Sequence, residues 1–127
     1  MYASSRASIR PLAKEIHDTY RAPFKTALSR AAVVQWPLEV PVAGKPATTA
    51  KYISEYNAWL DKTETPWLLL YATSGAVNTP EVADYWAARA KNIETAYLGA
   101  GLHFVQEDQP YAIGRAISDG YRRLEAK

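Results

Sequence analysis

One histidine stands in the setting where this sequence could do chemistry. His103 lies in the segment Gly101-Leu-His-Phe-Val-Gln-Glu-Asp108, directly after the β-rich run 93–98 and before a predicted helix. Folds that alternate strands and helices place reactive groups in the loops at the carboxyl ends of their parallel strands, and an imidazole there can act as a general base. The segment therefore predicts a general base at residue 103, and such a base needs a nucleophile.

Composition excludes several other kinds of site. The 127 residues include no cysteine, so thiolate nucleophiles, disulfides and cysteine-ligated metals are excluded. The two histidines do not make a zinc site, and we expect no metal and no cofactor. A net charge of +2 on scattered basic residues argues against a nucleic-acid partner. No run approaches the roughly 20 apolar residues of a membrane span, so we expect no membrane contact and a cytoplasmic location.

The elements that must position His103 follow from hydrophobic spacing and from the prolines. Apolar residues at helical spacing predict helices, and Pro23 breaks the first helical region. A continuous apolar run predicts a strand buried on both faces at 67–71, and Thr79 is a candidate N-cap. Three prolines and a glycine predict an irregular loop at 36–46. The predicted helices span 11–31, 47–61, 79–90 and 109–124, and the second predicted strand spans 93–98.

These elements predict an α/β architecture with an incomplete sheet. Residues 66–125 form a β-α-β-α series in which a right-handed crossover makes the two strands parallel. We expect a helical region at 1–61 and the βαβα region at 62–127. Two parallel strands are not stable as a separate sheet, and the run 67–71 carries no charge or proline to protect an open edge. The sequence therefore predicts a further strand from another polypeptide, a second copy of the chain, or deleted sequence.

Several motifs occur in an order and at a spacing that resemble one enzyme family. Over all but residues 1–8, the sequence resembles the C-terminal half of the haloalkane dehalogenases, which belong to the α/β hydrolase superfamily. Each motif alone is weak, and their common order makes the resemblance specific. The motifs are Ile9-Arg-Pro-Leu12, Tyr20-Arg-Ala-Pro-Phe24, Trp36-Pro-Leu-Glu-Val-Pro-Val-Ala-Gly-Lys-Pro46, Tyr56-Asn-Ala-Trp-Leu60, Gly101-Leu-His-Phe-Val-Gln-Glu-Asp108, Pro110 and Ile113-Gly114.

The resemblance implies a partial α/β-hydrolase fold, with 1–61 as a helical cap (lid) and 62–127 as the last part of the core. In that family an aspartate displaces halide from carbon and forms an alkyl-enzyme ester. A histidine oriented by a second carboxylate then activates the water that hydrolyses the ester, while side-chain N–H groups hold the halide ion. The substrates are halogenated aliphatic molecules. By resemblance, His103 takes the position of the base, and the pocket is lined by Phe104, Pro41, Val42, Ala76 and Val77.

The sequence departs from the family pattern at the nucleophile. A G-x-D-x-G-like elbow between strand and helix is absent. The loop 73–78 carries no acid, so the resemblance points to the branch of the family whose glutamate precedes the cap. We therefore expect a partner, either a missing N-terminal half or a second copy, and very low activity in its absence. The aspartates that lie outside any such elbow are Asp18, Asp61, Asp84, Asp108 and Asp119.

Other interpretations of the same residues stay open. His103 also fits a capping or core histidine, and the predicted pocket residues also fit core packing. Glu107 and Asp108 are interpreted as residues that cap and charge the start of the final helix, and the four tryptophans as packing residues. The chain also fits a non-catalytic fragment that self-associates through the edge at 67–71. The chain also fits one half of a dehalogenase-type luciferase that oxidises coelenterazine, since those proteins share this C-terminal pattern, including the Gly-Leu-His-Phe turn.

Overall fold

The chain divides into two compact units. A computed structural model describes residues 7–126, so residues 1–6 of the predicted cap region lie outside the described part. One unit spans Ala13–Asp61, and the other combines the residues up to Leu12 with those from Lys62 onward. The first unit is helical and the second contains the sheet.

Short helices make up the unit Ala13–Asp61. The predicted break at Pro23 is confirmed, because the first helix ends at Arg21 and Pro23 lies in the 3-10 turn that follows. Proline has no N–H to donate, and its ring clashes with the preceding helical turn. The elements are α1 (Lys14–Arg21), the 3-10 turns Ala22–Phe24 and Leu28–Arg30, α2 (Ala31–Leu38) and α3 (Ala47–Leu60).

The prediction of an irregular loop over 36–46 is wrong at its start. Helix α2 continues through Pro37 and ends at Leu38. Pro37 lies one residue before the end of the helix, so only one backbone hydrogen bond is lost, and the fixed φ of proline is compatible with a helix. Trp36 on this helix is 80% exposed, which contradicts the interpretation that it is a packing residue.

A tight hairpin follows α2 and contains Val42. The Val42 N–H donates to the Lys45 carbonyl at 2.9 Å, and the Lys45 N–H donates back at 3.1 Å. Ala43 and Gly44 between them have φ angles of 51° and 79°. Two successive left-handed residues are typical of the type I′ turn, whose twist suits a two-residue hairpin. The hairpin therefore fixes the backbone of Val42 within the helical unit.

The second unit contains the predicted β-α-β crossover. The elements are β1 (Trp67–Ser74), α4 (Pro80–Arg89) and β2 (Ile93–Gly101), and the two strands pair in parallel from Trp67↔Ile93 onward. Both strands extend three residues beyond their predicted ends. The predicted N-cap is confirmed, because the Thr79 hydroxyl accepts from the Val82 N–H at 3.4 Å. The α/β prediction with parallel strands and flanking helices is confirmed.

Helices cover part of each face of the sheet. Trp67 of β1 meets Trp86 of α4 edge-on, with ring centroids 5.6 Å apart. Two helices follow β2, the single turn α5 (Val105–Asp108) and the long helix α6 (Pro110–Glu125). Leu68 lies against α6, where a Cβ on Gly120 would be 3.2 Å from its side chain. Since successive strand residues point to opposite faces, α4 and α6 lie on opposite faces of the sheet.

The core of the described residues is small for a chain this apolar. No side chain in the range 7–126 is completely buried, and all five residues of the apolar run 67–71 in β1 are only half-buried. A parallel strand is normally covered on both faces and both edges, so this part of the sheet has room for further packing. None of the described helices combines the length and the apolarity needed to cross a bilayer. The buried apolar residues are Leu60, Ala72, Ala83, Ala90 and Leu98.

Candidate active site

His103 lies in the turn between β2 and α5, at the carboxyl end of the sheet. Its side chain is exposed. The ring of Phe104 lies beside it, with centroids 5.3 Å apart and the planes tilted by 47°. The predicted location of the candidate base, directly after the second strand, therefore agrees with the structure.

Gly101 allows the chain to turn tightly before His103. A Cβ at this position would lie 3.0 Å from the Val105 side chain and 3.2 Å from Ala72 on the neighbouring strand. Both contacts are shorter than an ordinary van der Waals distance, so a larger residue would push α5 away from the sheet. Gly99 has a different constraint, a left-handed φ of 100°, which residues with a Cβ adopt only with strain. Gly101 thus lets β2 end close against α5, and Gly99 lets the strand adopt its left-handed φ.

Hydrogen bonds hold the backbone on both sides of His103. The Leu102 N–H donates to Oδ2 of Asp108 at 3.0 Å. The Phe104 N–H donates to the Ala7 carbonyl at 2.7 Å. The N–H of the residue before the histidine and the N–H of the residue after it are therefore both held.

Asp108 has a role that the sequence did not indicate. Its Oδ1 accepts from the N–H groups of Ile9 and Arg10 at 2.9 and 3.2 Å, in addition to the Leu102 bond. The interpretation of Asp108 as a cap of the final helix is wrong, because α6 begins after Gln109 without a side-chain cap. Ile9 and Arg10 lie almost the full length of the chain away from Asp108. No local sequence pattern could reveal these two bonds.

A cavity of about 150 Å³ opens beside His103. The predicted pocket residues Ala76 and Val77 line it together with the histidine. The remaining lining side chains are mostly apolar and come from β1, the loop after it, the end of β2 and α5: Leu70, Tyr71, Ala72, Gly75, Asn78, Leu98, Leu102 and Val105. The structure thus brings together three of the six predicted site residues.

The other three predicted site residues lie elsewhere. Phe104 contacts the His103 ring but is not among the residues that line this cavity. Pro41 and Val42 belong to the helical unit. Pro41 lines a separate concavity of about 300 Å³ within that unit, and Val42 is 73% exposed. Their assignment to a substrate pocket stays a prediction.

The loop after β1 forms one wall of the cavity and is held at both ends. The Gly75 N–H donates to the Gly101 carbonyl at 3.0 Å. Asn78 accepts from the Ala72 N–H at 3.3 Å through its main-chain carbonyl, and its side-chain amide donates to the Leu70 carbonyl at 3.2 Å. The loop therefore folds back against the edge of β1 that faces away from β2.

The aspartates and the shifted pKa values lie on helices. Each of the five aspartates is in a helix or caps one, and none directly follows a strand. The Lys14 ammonium lowers the pKa of Asp18, and the Thr79 hydroxyl lowers the pKa of Glu81. The Glu94 carboxylate raises the pKa of Arg123. Among the described residues, no group of three or more histidine and acidic side chains could hold a metal ion.

The curated proteins that this chain matches include haloalkane dehalogenases. No family model matches the chain. A haloalkane dehalogenase of Agrobacterium fabrum strain C58 is 37% identical over 90% of this chain, and one of Bradyrhizobium diazoefficiens USDA 110 is 38% identical over 93%. The resemblance to the haloalkane dehalogenases is confirmed. The chain spans only 38% of the length of these two dehalogenases, which is consistent with a C-terminal part.

Solved dehalogenase structures match the fold over nearly the whole chain. The crystal structure of the haloalkane dehalogenase DatA from Agrobacterium tumefaciens C58 superposes with a TM-score of 0.84 at 36% identity, covering 92% of this chain and 40% of that one. The haloalkane dehalogenase DbeA from Bradyrhizobium elkani USDA94 gives 0.89 at 37% identity, covering 94% and 41%. The described elements therefore match the C-terminal part of an α/β-hydrolase fold.

Proposed function

We propose that this chain supplies the water-activating base, His103, to a haloalkane dehalogenase-like hydrolase. The observation that carries the proposal is the position of His103: it follows β2, lines a cavity with Ala76 and Val77, and lies in a chain that resembles dehalogenases over about nine-tenths of its length. The nucleophile and the second carboxylate come from residues outside this sequence. We further propose that the helical unit Ala13–Asp61, within the predicted cap region, acts as the cap.

The reaction requires no cofactor and proceeds in two displacements. The carboxylate of an external aspartate attacks the carbon of a halogenated aliphatic substrate, the carbon–halogen bond breaks, and halide ion leaves. His103 then removes a proton from water, the water oxygen attacks the carbonyl of the ester, and alcohol departs as the carboxylate is restored. General-base assistance at the second displacement contributes about 10²–10⁴ in rate.

The geometry suits His103 to this role. Its exposed ring borders a cavity whose lining is mostly apolar, a surrounding that favours an alkyl group. The backbone before and after the histidine is held by hydrogen bonds. A fixed base placed near its water raises the rate by removing unproductive orientations.

The open edge of β1 supports the proposal that the site is completed by another strand. The Trp67 backbone N–H donates to the Asn92 carbonyl at 3.0 Å, so the backbone N–H and C=O of Trp67 point toward β2. The backbone N–H and C=O groups of successive strand residues point to opposite edges of the strand. The backbone groups of Leu68 therefore point away from β2. The Leu70 carbonyl and the Ala72 N–H on that edge already bond to Asn78, which leaves Leu68 and the Leu70 N–H for the partner.

A groove of about 500 Å³ lies between α6 and the sheet, and residues 91–94 at the start of β2 also line it. Apolar side chains of α6 form one of its walls, and Leu68 and Leu70 form another. Leu68 and Leu70 belong both to this groove and to the open edge, and we propose that the strand pairing there comes from the polypeptide that corresponds to the rest of the relatives' length. The α6 residues are Ile117, Gly120, Tyr121 and Leu124.

The function is tested by joining this chain to the part of the Agrobacterium fabrum dehalogenase that it does not match. We expect the fusion to release halide from a bromoalkane, and the chain alone to release none above background. Circular dichroism establishes that the fusion is folded. A folded fusion without halide release contradicts the proposed function.

The partner strand is tested by hydrogen exchange at the edge of β1. We expect the Leu68 and Leu70 amides to exchange roughly tenfold or more slowly in the fusion than in the chain alone, because each gains a hydrogen bond or burial. The Leu69 amide, which points toward β2, is the matched control and should change little. Equal exchange of Leu68 in the fusion and in the monomeric chain contradicts pairing at this edge.

A self-associating module is the second candidate, and the same edge favours it. A second copy of the chain would provide a β1 strand and an apolar groove of equal size. Light scattering on the isolated chain distinguishes the two candidates. A stable dimer, together with a folded but inactive fusion, favours the self-associating module.

A further inference from the structure

We propose that Asp108 is a positioning residue for His103, acting through a strap formed by residues 7–10. The carboxylate lies at the end of α5, five residues after the histidine, and is not required by the two-step reaction itself. It joins two segments from opposite ends of the chain. The proposal deepens the proposed function, on which its activity test rests.

Both carboxylate oxygens of Asp108 are used. Oδ2 accepts from the Leu102 N–H at 3.0 Å, on the histidine turn. Oδ1 accepts from Ile9 and Arg10 at 2.9 and 3.2 Å, on the strap. An asparagine has one accepting oxygen and one donating NH₂ group, so it could satisfy only one side of this junction. The pattern therefore requires a carboxylate.

The strap is held by further hydrogen bonds to the same turn. The Ala7 carbonyl accepts from the Phe104 N–H at 2.7 Å, and the Arg10 guanidinium donates to the Glu107 carbonyl. Ser8 between them is 3% exposed, and its hydroxyl donates to the Arg10 carbonyl at 2.8 Å. A buried serine bonded within its own segment indicates an ordered strap.

The consequence for His103 follows from the two fixed neighbours. The residue before it is held by Asp108, and the residue after it is held by the strap that Asp108 anchors. Holding the N–H groups of Leu102 and Phe104 restricts the backbone on both sides of His103, and so restricts the direction in which its side chain leaves the backbone. It also fixes Phe104, whose ring lies beside the imidazole.

The structural test uses the isolated chain with Asp108→Asn and Asp108→Ala. We expect the amides of Leu102, Ile9 and Arg10 to exchange about tenfold or more rapidly in Asp108→Ala, and the amides on at least one side of the junction to do so in Asp108→Asn, since a hydrogen bond to a charged group is lost. We expect the ring signals of His103 in NMR spectra to broaden or split. Asp119→Asn on α6 is the matched control and should leave both readouts unchanged.

The outcomes of this test are distinct. If a folded Asp108→Asn chain keeps the parent exchange rates of the Leu102, Ile9 and Arg10 amides and the parent ring signals of His103, the proposal is overturned. If Asp108→Ala fails to fold, Asp108→Asn retains the side-chain size and still gives the result. Unchanged amide exchange in β1 and β2 shows that the effect is local to the turn.

The activity test uses the fusion and separates the two chemical steps. We expect Asp108→Asn to slow steady-state turnover by roughly ten- to hundredfold, as small displacements of a catalytic group do. The first equivalent of halide should still appear at the parent rate, because ester formation does not use His103. Equal slowing of both steps indicates a merely structural residue and overturns the proposal. A parent fusion that releases no halide contradicts the proposed function, whereas the exchange test of Asp108 is unaffected.

Discussion

Replacing His103 by alanine in the fusion should lower steady-state halide release about a thousandfold, the usual size of a general-base contribution. Without the imidazole, no group in the turn can take the proton of the attacking water, so the ester persists. Binding of substrate does not depend on the imidazole in this mechanism, and we expect KM to fall rather than rise as ester accumulates. Steady-state halide assays over a range of substrate concentrations measure both quantities.

The other histidine provides the control for this substitution. His17 lies in α1, in the helical unit, and is not among the predicted site residues. His17→Ala should leave the turnover rate within about twofold of the parent fusion, as substitutions away from functional features usually do. Near-parent turnover in His103→Ala, or equal losses in the two variants, contradicts the assignment of the base.

Replacing Gly75 by alanine should lower the free energy of unfolding by about 2 kcal/mol or more, because two separate costs combine. Gly75 has a left-handed φ of 69°, and an alanine would pay a backbone penalty to adopt it. A Cβ there would also lie 2.8 Å from the carbonyl oxygens of both Ala72 and Asn78. The Asn78 oxygen cannot retreat without weakening its bond to the Ala72 N–H, which holds the loop, and urea unfolding of the chain measures the loss.

The same substitution at Gly114 should change the free energy of unfolding in the opposite direction. It lies inside α6, its φ is ordinary, and a Cβ there would meet nothing within 4 Å. Gly114→Ala should therefore raise the free energy of unfolding by about 1 kcal/mol, the difference in helix propensity between the two residues. If Gly75→Ala is neutral, or if the two variants shift stability in the same direction, the explanation from backbone strain is wrong.

The sheet unit could be predicted from sequence because its signals are local. The apolar run at 67–71, the Thr79-Pro80 start of α4 and the amphipathic pattern of α6 each specify an element without reference to distant residues. The ends of the strands could not be predicted as well. The last residues of β1 and β2 lack an apolar pattern, and they are strand because each pairs with the other.

The site could be predicted only in part, for the same physical reason. His103 was found from the turn in which it lies, and Ala76 and Val77 were found from resemblance. The role of Asp108 could not be predicted, because two of its donors, Ile9 and Arg10, are distant in sequence. The third donor, Leu102, lies across the histidine turn. The continuation of α2 through Pro37 was missed because proline is tolerated near a helix end, which a rule based on the presence of proline does not capture.

The most direct test of the account is the mass of the fusion that carries His103→Ala after incubation with a bromoalkane. We expect one alkyl group per molecule to accumulate as an ester. Peptide mapping should locate this group in the part contributed by the dehalogenase relative. His17→Ala should show no such accumulation. An alkyl group on any aspartate of this chain, or continued turnover with no accumulated ester, would contradict the claim that this chain supplies the base and its partner the nucleophile.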